Sequence, residues 1–147
     1  MYLNNYQSFI FGAVILGILS FIACEKTIET SKIVGFGVNV ELAPSESVWF
    51  GSDTLSGVYT KVDNIEDSRC PEGAVCVWDG EAKTSLLVVQ KQDSVNLNLK
   101  LNSPTDSVSF SLNNKSYKAV LTAVNPYPNL KNNTSTKSAT LTILKIN

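Results

Sequence analysis

Residues 81–101, EAKTSLLVVQKQDSVNLNLKL, carry the clearest structural pattern in the chain. From Val95 to Leu101, apolar and polar side chains alternate, which is the period of a strand with one buried face. Residues 81–90 are instead apolar on both faces at positions 86–89, a pattern typical of a central strand that is covered on both sides. The sequence therefore predicts two consecutive β-strands.

The strand pattern continues on both sides of this segment. It predicts further strands over 33–42, 47–50, 57–64, 108–112, 117–124 and 139–146. Asn113-Asn114 predicts a tight hairpin turn, because asparagine tolerates positive φ better than most residues. About eight short strands, with turn residues between them, predict an all-β protein. The expected fold is a single antiparallel β-sandwich of immunoglobulin-like or Greek-key type, with a closed barrel as the alternative.

The composition limits the classes of function. A chain of 147 residues is long enough for one domain with a sizeable core. Lys plus Arg is 12 and Asp plus Glu is 13, so the net charge of −1 gives no basic excess for nucleic acid. Histidine is absent, which removes Ser-His-Asp and Cys-His nucleophilic centres and every histidine-containing metal site. We therefore expect no nucleic-acid partner, no metal site and no cofactor.

The amino-terminal residues predict export. Residues 9–22, FIFGAVILGILSFI, form an uncharged apolar run of 14 residues. As a helix this run would be about 21 Å long, shorter than the hydrocarbon layer of about 30 Å. That length indicates the core of a signal peptide over residues 1–23, and the alternative is an uncleaved hydrophobic anchor.

The apolar run ends in Leu19-Ser20-Phe21-Ile22-Ala23-Cys24, which resembles the lipobox of bacterial lipoproteins. The resemblance implies that the signal is removed, that Cys24 becomes the first residue and that its thiol carries lipid. Two or more acyl chains give stable anchoring to a membrane. We therefore expect a tether over 24–32 and a β-sandwich domain over 33–147, held at the cell envelope, with the outer membrane as the expected site.

The segment Asp67–Gly80, DSRCPEGAVCVWDG, contains the other two cysteines and the only arginine of the chain. Cys70 and Cys76 are separated by five residues, and Pro71 and Gly73 favour a tight turn that brings the cysteines within disulfide range. An exported protein lies outside the reducing cytosol, so we expect the two cysteines to be bonded. A bridge this short stabilises by about 2 to 2.5 kcal/mol in the chain-entropy model.

We also predict that this segment is a recognition loop. A rigid turn would hold Arg69, Glu72, Trp78 and Asp79 where a protein or glycan partner could meet them. A redox site is the alternative, but the spacing is not Cys-x-x-Cys and only Arg69 is placed to stabilise a thiolate. The segment resembles an element of secreted proteins and lipoproteins of bacteria, in which Asp-Ser-Arg-Cys-Pro precedes a second cysteine, an aromatic residue and a glycine. That resemblance implies a β-rich exported protein and no particular activity.

Aromatic and acidic residues suggest two further functions. Trp49 and Trp78 could form a platform for a sugar ring, but tryptophans of small sandwiches more often pack in the core, where we expect both. Asp67 and Asp79 could be the carboxylate pair of a hydrolase, but solvated turn acids are the simpler interpretation. We therefore expect a lipid-anchored, non-catalytic binding or structural module. An envelope hydrolase and a carbohydrate-binding module are the alternatives.

Overall fold

A computed structural model of the chain describes residues 32–101, 106–131 and 135–146. The predicted signal peptide, the lipidation site Cys24 and the tether up to residue 31 lie outside the described residues. Within the described ranges, no helix is long and apolar enough to cross a membrane.

Nine β-strands form within these ranges. In chain order they are β1 (Lys32–Val34), β2 (Val40–Leu42), β3 (Ser47–Phe50), β4 (Val58–Asp67), β5 (Ala82–Gln90), β6 (Asp93–Leu101), β7 (Asp106–Leu112), β8 (Lys115–Asn125) and β9 (Ser138–Ile146). Sheet I has the order β1-β3-β4-β5-β6, and sheet II has the order β2-β9-β8-β7. Neighbouring strands are antiparallel, except that β1 is parallel to β3.

The inner faces of the two sheets share one hydrophobic core. Tyr117 is the largest fully buried side chain, and its ring stacks on those of Phe110 and Phe36. The Tyr117 hydroxyl is satisfied by the buried side-chain amide of Gln90, whose Nε2 donates to it over 2.9 Å. The predicted β-sandwich is thus confirmed, and the alternative of a single closed sheet is wrong.

The predicted strand over 33–42 is two strands in different sheets. β1 lies at the edge of sheet I and β2 at the edge of sheet II. Between them Gly37 has φ +84°, a conformation that an extended strand cannot contain. The alternating pattern continues through this break because Phe36, although outside a strand, still packs against the core.

The outer face of sheet I explains why β5 is apolar on both sides. Leu86 and Val88 are buried in the core, whereas Leu87 and Val89 are half-buried on the outer face. No second layer of the described chain covers that face, contrary to the prediction for a covered central strand. Val89 is instead opposite Tyr59, which is in turn opposite Trp49, so apolar neighbours in the same sheet shield one another. Trp49 is therefore half-buried on the outer face and not in the core.

The strand register gives the sandwich two distinct ends. Residues 68–80, which contain Cys70 and Cys76, form what we call the cysteine loop. β4 and β8 both run towards this loop, and we call this end of the sandwich the loop end. At the opposite end, the hairpin end, the turn at Asn113 joins the two sheets. Its backbone N–H donates to Asp93, and its side-chain amide donates to the Gln90 carbonyl. The predicted turn at residues 113 and 114 is confirmed, since both have positive φ.

Candidate functional site

The two arms of the cysteine loop continue the β4–β5 hairpin beyond its last paired residues. The Ser68 N–H donates to the Glu81 carbonyl over 3.0 Å, and the Cys70 N–H donates to the Asp79 carbonyl over 2.8 Å. Gly80 makes this close approach possible. Its φ is +71°, and a Cβ atom there would lie 2.0 Å from the Ser68 carbonyl oxygen. Only glycine fits at position 80. The segment Asp67–Gly80 includes this glycine, but the sequence alone does not show why it is required.

A disulfide also belongs to this base and closes the loop. Cys70 and Cys76 are bonded, with their Cα atoms 5.9 Å apart, as predicted. Between them the Ala74 N–H donates to the Pro71 carbonyl over 3.1 Å, and Gly73 takes φ +83°. The loop is therefore held by covalent and hydrogen bonds at both its base and its turn.

A buried ion pair links Arg69, near the start of the loop, to Asp67 at the end of β4. Arg69 Nε and Nη2 donate to the two carboxylate oxygens of Asp67 over 2.8 and 2.7 Å. The Asp67 side chain is 2% exposed and that of Arg69 is 11% exposed. Arg69 also donates to the Val124 carbonyl over 2.7 Å, and its guanidinium carbon lies 4.4 Å from the centre of the Tyr127 ring. The structure thus places Arg69 beneath the loop, where its Nε and Nη2 donors bond within the fold.

A second cation, Lys137, also contacts Asp67. Lys137 Nζ lies 3.2 Å from Asp67 and donates to the Pro126 carbonyl over 2.6 Å. Burial would raise the pKa of Asp67, but hydrogen bonds from Arg69 and Lys137 outweigh burial and hold that pKa below its usual value. Asp67 is therefore a stable carboxylate at neutral pH.

The cysteine loop also rests on the segment that follows β8. The Glu72 N–H donates to the Pro128 carbonyl over 2.9 Å, and Glu72 forms a parallel bridge with Asn129. This segment begins with a cis bond between Asn125 and Pro126. The loop is consequently attached to both sheets. Hydrogen bonds at the base of the loop connect it to sheet I, and the segment after β8 connects it to sheet II.

The outer part of the loop is apolar and open to solvent. Val75 and Val77 are fully exposed and Trp78 is 67% exposed. We call these three residues the tip. The prediction that Trp78 packs in the core is wrong, because the loop stands clear of the sandwich and offers no interior for its ring. The two acidic residues of the predicted recognition loop, Glu72 and Asp79, are also exposed.

The described residues contain no group of three or more Asp, Glu, Cys or His that could hold a metal ion. Comparison of the chain with protein-family models, with curated proteins and with solved structures finds no match. The geometry of the loop is therefore the basis for a functional proposal.

Proposed function

We propose that the protein is a lipid-anchored binding module of the cell envelope, and that it contacts a protein partner through the tip of its cysteine loop. The observation that carries the proposal is the contrast between a rigid base and an exposed apolar tip. The base uses a buried ion pair, a disulfide and backbone pairing to both sheets. The tip exposes Val75, Val77 and Trp78 to solvent.

An apolar tip on a fixed base suits a protein partner. Each large apolar side chain that becomes fully buried contributes about 1.5 to 3 kcal/mol. Tryptophan is among the residues that dominate binding energy at protein interfaces. Because the base already fixes the loop, little conformational entropy would be lost on binding. Glu72 and Asp79 would lie at the polar rim of such an interface.

The two alternative functions have weaker support. Trp49 and Tyr59 meet at an interplanar angle of 59°, so they do not form one flat platform for a sugar. Asp67 is the carboxylate that a hydrolase would pair with Asp79. Its oxygens are occupied by Arg69 and Lys137, which disfavour the protonated form that a general acid needs.

The anchor is supported by the lipobox-like residues Leu19–Cys24 and by the disulfide, which suits a compartment outside the cytosol. Intact mass spectrometry of the membrane-extracted protein tests it. We expect an acylated chain that starts at Cys24 and gains two alkylated thiols only after reduction. A chain that starts at Met1 without lipid would contradict the anchor and leave the binding proposal to be tested separately.

Site-specific photocrosslinking in the native cells tests the proposed interface. A photoreactive amino acid at position 77 is expected to give one discrete crosslinked protein. The matched control is position 55, because Leu55 is 82% exposed but lies between β3 and β4 at the hairpin end. The crosslink from position 77 should disappear when Val75 and Trp78 are both changed to serine.

The tip variant must keep its fold for this comparison to be valid. Since the tip is exposed, V75S/W78S should change the free energy of unfolding by no more than about 0.5 kcal/mol. Equal crosslinking from positions 55 and 77, or a crosslink that survives V75S/W78S, would refute the proposed interface.

A further inference from the structure

A cleft of about 400 Å³ opens at the hairpin end, far from the cysteine loop. Ligand sites for small molecules enclose roughly 300 to 1,000 Å³, so the cleft is large enough for a small ligand. Both sheets contribute to it. Its main lining residues are Phe36, Gly51, Ser52, Lys115, Tyr117 and Lys145, and we call it the lysine cleft.

The strand register directs two ammonium groups into the lysine cleft. Lys145 is directly opposite Tyr117 in the β8–β9 pair, and Lys115 is two residues before Tyr117 on the same strand. All three side chains therefore emerge on one face of sheet II. Diagonal neighbours of this kind have Cβ atoms roughly 7 to 8 Å apart, which allows two long lysine side chains to meet at one anion.

Neither of these lysines forms an ion pair within the part of the chain that the structure describes, whereas Lys61, Lys83 and Lys137 do. The carboxylate in the neighbouring β3–β4 turn belongs to Asp53, which is engaged inside that turn. It accepts from the hydroxyl and N–H of Ser56 and from the Leu55 N–H, and these bonds lower the pKa of Asp53 to about 2. Among the described residues, the positive charge at the lysine cleft thus has no carboxylate partner.

The wall of the lysine cleft is aromatic and fixed. Phe36 stacks on Tyr117 with ring centres 5.9 Å apart, and Tyr117 is 1% exposed. Gln90 holds the Tyr117 hydroxyl, and its Nε2 also donates to the Ser56 carbonyl over 3.0 Å. This network ties Tyr117, in the wall of the cleft, to the β3–β4 turn, so the aromatic wall is held in place.

We infer that the lysine cleft binds a small organic acid, with its carboxylate between Lys115 and Lys145 and an apolar face against Phe36. Charge-assisted hydrogen bonds from two ammonium groups would fix the carboxylate. A bare inorganic anion would leave the aromatic wall in water, which favours a ligand with a ring or chain behind its acidic group. A uronic acid, whose pyranose ring has an apolar face, has this chemistry. The inference concerns a second site and does not depend on the cysteine loop.

Titration of the mature, full-length protein by NMR tests the inference, with sodium glucuronate as the probe and glucose as its neutral counterpart. Amide signals of residues 35 to 37 and 51 to 56 are expected to shift with glucuronate and not with glucose. The double variant K115Q/K145Q should bind glucuronate at least tenfold more weakly. The matched control is K118Q, because Lys118 is on the opposite face of β8 and should leave the affinity within twofold.

Three results would overturn the inference. These are the absence of shifts with glucuronate, equal weakening in K118Q and K115Q/K145Q, and displacement of glucuronate by an equal concentration of inorganic phosphate. The last result would show a general anion site without selection for an organic acid. Unchanged tip crosslinking in K115Q/K145Q would show that the two sites act independently.

Discussion

Replacing Arg69 with methionine is expected to lower the free energy of unfolding by about 3 kcal/mol, as is typical when one partner of a buried ion pair is removed. Methionine keeps much of the apolar stem but removes the paired donors to Asp67 and the bond to the Val124 carbonyl. Asp67, only 2% exposed, would retain Lys137 as its single cation. Urea unfolding followed by circular dichroism gives the measurement.

The strand that carries Asp67, β4, offers a matched control for Arg69→Met. Lys61 pairs with Asp63 over 3.2 Å, but both side chains are more than a third exposed, at 35% and 43%. Exposed pairs contribute little, so Lys61→Met should cost less than about 1 kcal/mol. If both variants lose the same free energy of unfolding, the Asp67–Arg69 pair contributes no more to stability than an exposed ion pair does.

The pH dependence provides a second readout of Arg69→Met. The folded-state pKa of Asp67 lies below its unfolded value, so its stabilisation is fully present above about pH 5 and is lost as pH falls through the folded-state pKa. In Arg69→Met that pKa should rise. The stability difference between wild type and variant should therefore narrow below about pH 4. A difference that stays constant down to pH 2 would assign the loss to packing alone.

Gly80→Ala is expected to destabilise the protein by about 3 kcal/mol or more. A left-handed conformation costs an L-residue about 1 to 2 kcal/mol, and forcing a side chain into a filled space adds about 1 to 3 kcal/mol. Here the obstacle is the Ser68 backbone, 2.0 Å from the new Cβ. Relief of the overlap would separate Ser68 from Glu81, so their amides should exchange faster with solvent.

Gly73→Ala is the control for Gly80→Ala. Gly73 has a similar φ of +83°, but among the described residues a Cβ there would meet only the Leu130 side chain, at 3.7 Å. The conformational cost alone should apply, which is about 1 to 2 kcal/mol. If both alanine variants lose the same stability, close approach of the loop arms is not what requires glycine at position 80.

Local patterns in the sequence predicted most of the strands, because burial on one face of a sheet produces a period of two along each strand. The same pattern was misleading at residues 33–42. There the chain crosses from one sheet to the other at Gly37 while Phe36 remains against the core. The disulfide could also be predicted, since it joins residues close in the chain and needs only a tight turn.

Contacts between distant parts of the chain were beyond sequence reasoning. Arg69 was expected at the surface of the loop, but Val124, 55 residues away, accepts from its guanidinium. Trp78 was expected in the core because tryptophans of small β-sandwiches more often pack there. Its exposure depends on how far the loop stands from the sandwich, which is set by the β4–β5 extension and by the contact of Glu72 with Pro128.

The separation between base and tip has a consequence for how this protein can change over evolutionary time. Substitutions at Val75, Val77 and Trp78 alter no core packing, whereas Asp67, Arg69 and Gly80 are tied to the rest of the fold. Descendants of this chain can therefore change the proposed contact surface at the tip with little change in stability. The same independence makes positions 75, 77 and 78 suitable for introducing foreign side chains, provided that Cys76 is kept for the disulfide.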